Sequence, residues 1–292
     1  MYTKTSTRIR CLLAGLQQRT RSRKRSSSQA LRILPQRGMT SESTATTFAT
    51  SRRNDRLGGN VMAISSLHAR FAEFANNDRV FPLLNEKQTE NFKKRVKWHE
   101  GDPRRRQAAV LVLLCNIHGE PSLLFTRRAA HLNQHAAEIS FPGGHVEKSE
   151  TFEEAALRET CEELLPPKGF LENVEIIGRT TKLPSIRGTP VTPVLAVSPN
   201  ELSDIHELFP GNKEEVDLVF SASLADLARN EGSHVIPNNR FGMTKAPKFE
   251  TPHGKIWGLT AFILRPLLHK ILKPVYLKQR TDEDEIPQNA RM

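Results

Sequence analysis

The sequence predicts an α/β or α+β sandwich, in which a few helices cover a mixed β-sheet. Two observations predict this fold class. Several short Val- and Leu-rich segments, each bounded by turn residues, alternate with only a few segments of helical periodicity. Apolar residues also make up 37% of the 292-residue chain, which is enough to form a substantial core.

The elements of this sandwich can be predicted in chain order. Two helices are expected within residues 64–98, where apolar residues recur at helical spacing. Residues 107–128 form a predicted hairpin, because two Val/Leu-rich runs flank the turn sequence HGEP. A helix then covers residues 151–164. Beyond it, the predicted strands are residues 174–183, 192–198, 216–222 and 255–260, and the predicted helices are residues 224–229 and 260–272.

The positive charge of the chain is concentrated near its N-terminus. The net charge is +11, but residues 1–60 contain thirteen Lys or Arg residues and two acidic ones, which leaves thirty of each sign in residues 61–292. A nucleic-acid groove needs basic residues on the folded surface, so we expect no nucleic-acid partner. No apolar run is long enough to span a bilayer, so we expect no membrane span either.

Two segments that resemble targeting signals lie at the ends of the sequence. The Arg- and Ser-rich, acid-poor composition of residues 1–60 is typical of a mitochondrial transit peptide, although a disordered basic tail has the same composition. The terminal tripeptide Ala290-Arg291-Met292 is similar to a variant of the peroxisomal signal. We expect a mitochondrial protein, with a peroxisomal location as the alternative, because loose tripeptide matches are common by chance.

The helix at residues 151–164 has well-marked ends. Thr151 followed by Glu154 forms a capping box at its start, and Pro166-Pro167 cannot continue it. These signals place the helix directly after the sequence SFPGGHVE. In that sequence Gly143-Gly144 lets a backbone approach a ligand closely, although a simple turn is the alternative.

One face of this helix carries Glu159, Glu162 and Glu163, which lie within about 100° of one another. Like charges at this spacing destabilise a helix unless solvent or a cation offsets their repulsion. We expect the small residues Ala155 and Ala156 to leave room above this face. Clustered carboxylates suit Mg²⁺ or Mn²⁺, which keep positions open for water and phosphate oxygens. A solvated acidic face is the simpler alternative.

The spacing of these residues resembles the Nudix box, G-x5-E-x7-R-E-U-x-E-E-x-G-U, in which U is aliphatic. The matching positions are Gly144, Glu150, Arg158, Glu159, Glu162 and Glu163. Three positions depart from the pattern: Thr160 and Pro166 stand where aliphatic residues are usual, and Leu165 stands where glycine is usual. The resemblance implies a Nudix α/β/α sandwich with a mixed β-sheet, and cation-dependent hydrolysis of a pyrophosphate bond.

The upstream segment LLFTRRAAHLNQHAAEISFPGG resembles the signature of the coenzyme A diphosphatase branch of this family. The matching positions are Leu123, Leu124, Thr126, Arg128, Ala129, Leu132, His135, Glu138, Ile139, Phe141, Pro142, Gly143 and Gly144. Ala137 stands where the branch has glycine. The resemblance covers roughly residues 105–275, is greatest to animal mitochondrial and peroxisomal enzymes, and implies that CoA or acyl-CoA is split into 3′,5′-ADP and (acyl-)4′-phosphopantetheine.

The resemblance also implies roles for individual residues of the helix. Glu159 and Glu163, assisted by Glu162, would bind Mg²⁺ or Mn²⁺. Glu162 and Arg158 are catalytic candidates, and Arg158 would pair with a helix carboxylate and orient it.

Further candidates lie outside the helix. Glu215, in the segment KEEVDLVF, is a catalytic candidate near the cations, with a solvated strand-edge acid as the alternative. Arg128 and His135 are candidates for contacts with the substrate phosphates, and Gly143 and Gly144 are candidates for backbone contacts with the substrate.

The expected domain is residues 104–275, preceded by a basic leader (1–60) and a helical extension (61–103) and followed by a tail (276–292). Its oligomeric state is not indicated. The box alone encodes only pyrophosphate cleavage, so ADP-ribose, NADH or another nucleoside diphosphate derivative is the alternative substrate. A non-catalytic binding module of the same fold should have lost a glutamate of the box, and here all are present.

Overall fold

The structure is a computed structural model that describes residues 56–87, 89–90, 106–132, 137–235 and 245–277. The helices are α1 (Arg56–Phe74), α2 (Phe152–Leu164), α3 (Ile205–Leu208), α4 (Leu224–Arg229), α5 (Gly258–Leu267) and α6 (Lys273–Tyr276), with a 3₁₀ turn at Leu171–Asn173 and a π-helical turn at Leu268–Leu272. The strands are β1 (Val80–Phe81), β2 (Ala108–Ile117), β3 (Glu120–Arg128), β4 (Ile139–Ser140), β5 (Gly143–His145), β6 (Glu175–Thr180), β7 (Leu183–Pro184), β8 (Pro190–Leu202), β9 (Val216–Ser223), β10 (Glu231–Val235), β11 (Lys245–Thr251) and β12 (Gly254–Ile256).

The larger sheet has the strand order β1-β6-β8-β2-β3-β4, with β5 paired to β2, β7 to β8 and β9 to β3. Strand β2 runs parallel to β8, and β1 runs parallel to β6. The other pairs are antiparallel, including the predicted hairpin of β2 and β3. The sheet is therefore mixed, as predicted. Strands β10, β11 and β12 form a separate antiparallel sheet.

Both faces of the larger sheet are covered, and strand β2 shows how. Its Leu111 and Leu113 pack in one apolar cluster with α2, whereas Val112 and Leu114 pack in another with α1 and α5. Alternate residues of a strand point to opposite faces of the sheet, so this Val/Leu-rich strand contributes side chains to both apolar clusters. This arrangement confirms the predicted α/β/α sandwich with a mixed β-sheet.

The N-terminal helix α1 belongs to one of these cores. Leu67 and Phe71 are buried in the same cluster as β2 and β3, and the rings of Phe71 and Phe81 lie 5.9 Å apart. The helix begins at Arg56, so it crosses the boundary expected at residue 60. The second helix expected within residues 64–98 lies largely outside the described residues. In the described part of the chain, no helix combines the length and apolarity needed to cross a bilayer.

Two further predictions concern element ends. The capping box is confirmed, because the Thr151 hydroxyl accepts from the Glu154 N–H at 3.1 Å and the Glu154 carboxylate accepts from the Thr151 N–H at 2.9 Å. The strand predicted at 255–260 is wrong beyond Ile256. Gly258 has a φ of 62°, and the chain turns there into α5.

Candidate active site

The acidic helix α2 lies close against the sheet through its small residues. Ala155 and Ala156 are fully buried, in one apolar cluster with Ala109 and Leu111 of β2. The expectation that these alanines leave room above the carboxylate face is therefore wrong. Their small side chains instead allow the helix to approach the strand closely, because a larger residue would hold the two elements apart.

The Gly143-Gly144 segment lies between β2 and the carboxylates of α2. Gly143 pairs with Val110, has a φ of 150°, and would place a Cβ atom only 2.2 Å from the Ala109 carbonyl oxygen. A Cβ atom on Gly144 would lie 2.4 Å from the carboxyl carbon of Glu159. Backbone contacts therefore require glycine at 143, whereas a side chain at 144 would displace the Glu159 carboxylate. The N–H of Gly143 donates to Glu163 Oε2 at 3.1 Å, which fixes that carboxylate above the segment.

Arg158 connects α2 to the loop that precedes it. Its Nε and Nη2 atoms donate to the two carboxylate oxygens of Glu150 at 2.7 and 3.1 Å, and Nη2 also donates to the His145 carbonyl at 2.8 Å. Nη1 donates to Glu159 Oε1 at 3.0 Å and to Glu162 Oε2 at 3.4 Å. Arg158 therefore does pair with helix carboxylates, and it holds Glu159 and Glu162 in place.

Glu150 is a site residue that was missed among the sequence candidates. Its side chain is 9% exposed and that of Arg158 is 10% exposed, so the pair is nearly removed from water. Burial opposes the charge of Arg158, but the hydrogen bond to Glu150 and the nearby carboxylates outweigh it and raise the pKa of Arg158. Glu150 lies eight residues before Arg158, outside the helix. The seven-residue gap between Glu150 and Arg158 in the Nudix box was the signal for this contact. Helical periodicity does not reveal it, because Glu150 lies outside the helix.

The carboxylates of α2 carry more negative charge than their surroundings offset. Glu163 is 4% exposed, and its burial raises the pKa of the carboxyl to about 8. Repulsion by Glu159 and Glu215 adds to this shift, whereas the Gly143 N–H and Arg128 oppose it. Burial also raises the pKa values of Glu159 and Glu162, although Arg158 counteracts it.

Glu215 is brought to this cluster by the loop that follows α3. The N–H groups of Gly211 and Asn212 donate to the carbonyls of Leu164 and Glu163, at 3.1 and 2.7 Å, and so cap the C-terminus of α2. The Glu215 carbonyl accepts from the Ala129 N–H at 2.9 Å, at the end of β3. After burial, the charge of its carboxylate contributes to the raised pKa values of Glu159, Glu162 and Glu163.

Of the two phosphate-contact candidates, Arg128 lies within the described residues. Arg128 ends β3, and its charge lowers the pKa of Glu163, so its side chain is near that carboxylate. Its backbone exchanges hydrogen bonds with Ala137 and Glu138, at 3.2 and 3.0 Å. His135 lies outside the described residues.

Two positions at which this chain lacks the glycine of the resembled motifs have left-handed backbone. Ala137 has a φ of 58°, and Leu165 has a φ of 53°. This conformation suits glycine and strains other residues, because their Cβ atom approaches the carbonyl oxygen. The departures noted in the sequence thus fall where the backbone still adopts the conformation that favours glycine.

The donor set fits a hard divalent cation. Its side-chain donors are carboxylate oxygens, and their surplus negative charge would be offset by Mg²⁺ or Mn²⁺. Within the described ranges, no three acidic, histidine or cysteine side chains already converge as ligands of one ion. Instead, Arg158 holds Glu159 and Glu162, and Gly143 holds Glu163. Arg158 contacts only Oε1 of Glu159, so a cation would bind that carboxylate through Oε2.

Comparison with known proteins agrees with this geometry. The NUDIX domain family matches residues 105–238. The Nudix hydrolase NudL of Enterobacter sp. is 38% identical over 174 residues, covering 58% of this chain and 85% of the relative. NudL of Klebsiella pneumoniae is 37% identical over 170 residues, covering 57% and 83%. The crystal structure of the M. smegmatis Nudix hydrolase RenU, 18% identical, covers 63% of this chain and 88% of its own, at a TM-score of 0.37.

These relatives overturn the predicted mitochondrial location and its peroxisomal alternative. They are proteins of Enterobacter and Klebsiella, bacteria that have neither organelle, and not the animal enzymes to which the sequence resemblance pointed. The physical reason for the error is that a basic, acid-poor segment has the same composition whether it is a transit peptide or an ordinary basic tail.

Proposed function

The chain belongs to the Nudix hydrolase family, whose members hydrolyse pyrophosphate bonds, and from this premise we propose that its substrate is coenzyme A or acyl-CoA. The products would be 3′,5′-ADP and (acyl-)4′-phosphopantetheine. One observation supports the proposal: the charge of Arg128, which lies within the segment that resembles the CoA diphosphatase signature, acts on Glu163, and the charge of Glu215 acts on Glu159, Glu162 and Glu163.

The helix carboxylates provide the cation site of the proposed reaction. Glu159 and Glu163, with Glu162 assisting, would hold Mg²⁺ or Mn²⁺, the cations that Nudix hydrolases generally use. When bound, such a cation neutralises the diphosphate charge and makes water more acidic. Arg158 orients Glu159 through the 3.0 Å hydrogen bond from Nη1, so that its second oxygen is available for binding.

Two carboxylates are available to accept the proton of the attacking water. Glu162 is the most exposed of the helix carboxylates, with 39% of its side chain accessible, and only one of its oxygens contacts Arg158. Glu215 lies in the loop that follows α3, and its charge acts on Glu159, Glu162 and Glu163. Proton transfer to a positioned carboxylate is the general-base step that hydrolysis requires.

Arg128 is suited to bind the substrate phosphates. Its guanidinium lies near Glu163, so it would also lie near a phosphate that shares a cation with that carboxylate. An arginine can form two parallel hydrogen bonds with one phosphate group, which both binds and orients it.

The test is a substrate panel in the presence of Mg²⁺ or Mn²⁺, with CoA, acyl-CoA, ADP-ribose and NADH, and with product analysis. We expect release of 3′,5′-ADP from CoA, and loss of this activity in Glu163→Gln. The matched control is Glu153→Gln, on the same helix but paired with Arg179 at 3.8 Å, which should retain activity. Faster turnover of ADP-ribose or NADH than of any CoA ester would refute the substrate assignment.

A further inference from the structure

Glu215 lies in an exposed loop, yet both peptide groups beside its Cα atom are fixed by hydrogen bonds. Lys213, Glu214 and Glu215 are all open to solvent. Packing cannot hold such a side chain in one direction, so the contacts of the backbone must do so. The two peptide groups that flank Glu215 contain two N–H groups and two carbonyls, and all four have a hydrogen-bond partner.

Three of these four contacts join backbone to backbone. The N–H groups of Glu215 and Val216 donate to the Asn212 carbonyl at 2.9 and 2.7 Å, and the Glu215 carbonyl accepts from the Ala129 N–H at 2.9 Å. Asn212 in turn donates its N–H to the Glu163 carbonyl at 2.7 Å. The loop is therefore anchored on the helix that carries the other carboxylates. Any residue except proline can supply these contacts, because they involve no side chain.

The fourth contact depends on a side chain. The Nε2 atom of His131 lies 3.2 Å from the Glu214 carbonyl oxygen, and it donates, because a carbonyl oxygen can only accept. This carbonyl belongs to the peptide group that leads into Glu215. A second side chain holds the other backbone group of Glu214, since its N–H donates to Asn212 Oδ1 at 3.3 Å. His131 and Asn212 together therefore hold both backbone polar groups of Glu214.

The direction of the Glu215 side chain follows from these contacts. Peptide groups are planar, so the two groups that meet at a Cα atom set the direction of its Cα–Cβ bond. After burial, the charge of Glu215 contributes to the raised pKa values of Glu159 and Glu163, so its carboxylate acts on α2. A rotation of the peptide group between Glu214 and Glu215 would change that direction.

We propose that His131 and Asn212 are positioning residues, which hold the backbone of Glu214 and thereby keep the Glu215 carboxylate directed at the carboxylates of α2. This inference rests on the proposed function, in which Glu215 is one of two candidate acceptors of the proton from the attacking water. Neither side chain needs to contact the substrate. Neither stood out in the sequence, because the loops that carry them, after β3 and after α3, meet only in the fold.

The test is a double-mutant cycle with Glu215 in the full chain, measured as Mg²⁺-dependent hydrolysis. We expect His131→Leu to lower kcat about tenfold and to leave KM little changed, because a displaced proton acceptor alters the reacting geometry and not substrate binding. In the Glu215→Gln background, the same change should lower kcat by less than about twofold, since no carboxylate remains there to position. An equal loss in both backgrounds, or wild-type kcat in either single variant, would overturn the inference.

Conservative replacements separate the hydrogen bonds from the bulk of the side chains. His131→Gln keeps an N–H donor and should recover most of kcat, and Asn212→Asp keeps the Oδ1 acceptor that Asn212→Leu removes. The matched control is His269→Leu, whose imidazole pairs with Glu231 at the start of β10 and which should retain kcat. Equal kcat in the conservative and the leucine variants would show that these hydrogen bonds do not position Glu215.

Amide hydrogen exchange tests the same contacts without a substrate. The N–H groups of Glu215 and Val216 should exchange faster in His131→Leu than in the wild type, because the turn that protects them opens more often. The His269→Leu control should leave their exchange unchanged. Unchanged exchange in His131→Leu would contradict the proposal.

The outcome is separable from the CoA assignment, because the cycle is run with whichever compound of the substrate panel is hydrolysed. If that compound is ADP-ribose or NADH, the substrate proposal falls, and a loss of kcat that depends on Glu215 still supports the positioning role. If CoA is hydrolysed and His131→Leu is fully active, the positioning role falls and the substrate proposal stands. Hydrolysis of none of the four compounds would refute both.

Discussion

Replacing Leu165 tests whether the helix α2 ends in strained backbone. Leu165 has φ 53° and ψ 52°, and its N–H donates to the Cys161 carbonyl at 3.1 Å. An L-residue in the left-handed region costs about 1–2 kcal/mol. Glycine avoids this cost but loses about 0.5–1 kcal/mol more in backbone entropy on folding. At this position the backbone should therefore favour glycine over alanine by about 0.5–1 kcal/mol.

The informative comparison is between Leu165→Gly and Leu165→Ala, because both remove most of the leucine side chain and its packing. We expect Leu165→Gly to be the more stable of the two, with a melting temperature higher by about 1–4 °C. Thermal unfolding followed by circular dichroism measures this difference. Urea titration provides an independent free energy of unfolding.

The control pair lies one turn earlier in the same helix. At Cys161, where the backbone is helical, Cys161→Gly should be less stable than Cys161→Ala by about 1 kcal/mol. The glycine preference should thus change sign between the two positions. If the control pair behaves as expected but Leu165→Gly is no more stable than Leu165→Ala, the left-handed conformation does not carry the strain inferred here.

Three further predictions concern the site. Gly143→Ala should destabilise the fold by more than about 2 kcal/mol, because the added Cβ meets backbone. Gly144→Ala should melt normally but lose about tenfold or more in activity, because the added Cβ displaces the Glu159 carboxylate. A normal melting curve for both variants would refute this reasoning. Arg158→Met should cost about 3–5 kcal/mol in urea titrations, because the buried Glu150 carboxylate would lose its cationic partner and retain the hydrogen bond from the Glu147 N–H at 2.9 Å; a second change, Glu150→Gln, should recover part of this loss. Mn²⁺ should raise the melting temperature of the wild type but much less that of Glu163→Gln; equal shifts would exclude Glu163 as a ligand.

The predictions that succeeded rest on local interactions. The capping box needs only Thr151 and Glu154, which are three residues apart. Their hydrogen bonds do not depend on what packs against the helix. The hairpin of β2 and β3 needs only two apolar runs and a turn. The Nudix box was recognisable because its spacing is fixed along the chain.

The predictions that failed rest on contacts between distant residues. Ala155 and Ala156 were expected beneath an open site, but they pack on β2, and no property of the helix alone identifies what it packs against. The strand expected at 255–260 turns into α5 after Ile256, because Gly258 adopts a positive φ that apolar periodicity does not indicate.

Periodicity, capping signals and motif spacing each span a few residues, so they were enough to predict the sandwich fold, the ends of the acidic helix and the identity of its carboxylates. The contacts between distant segments came from the tertiary structure: Glu150 pairs with Arg158, and the charge of Glu215 acts on the helix carboxylates. Burial, charge coupling and exposure depend on which distant segments meet in the fold, and folding alone brings those segments together.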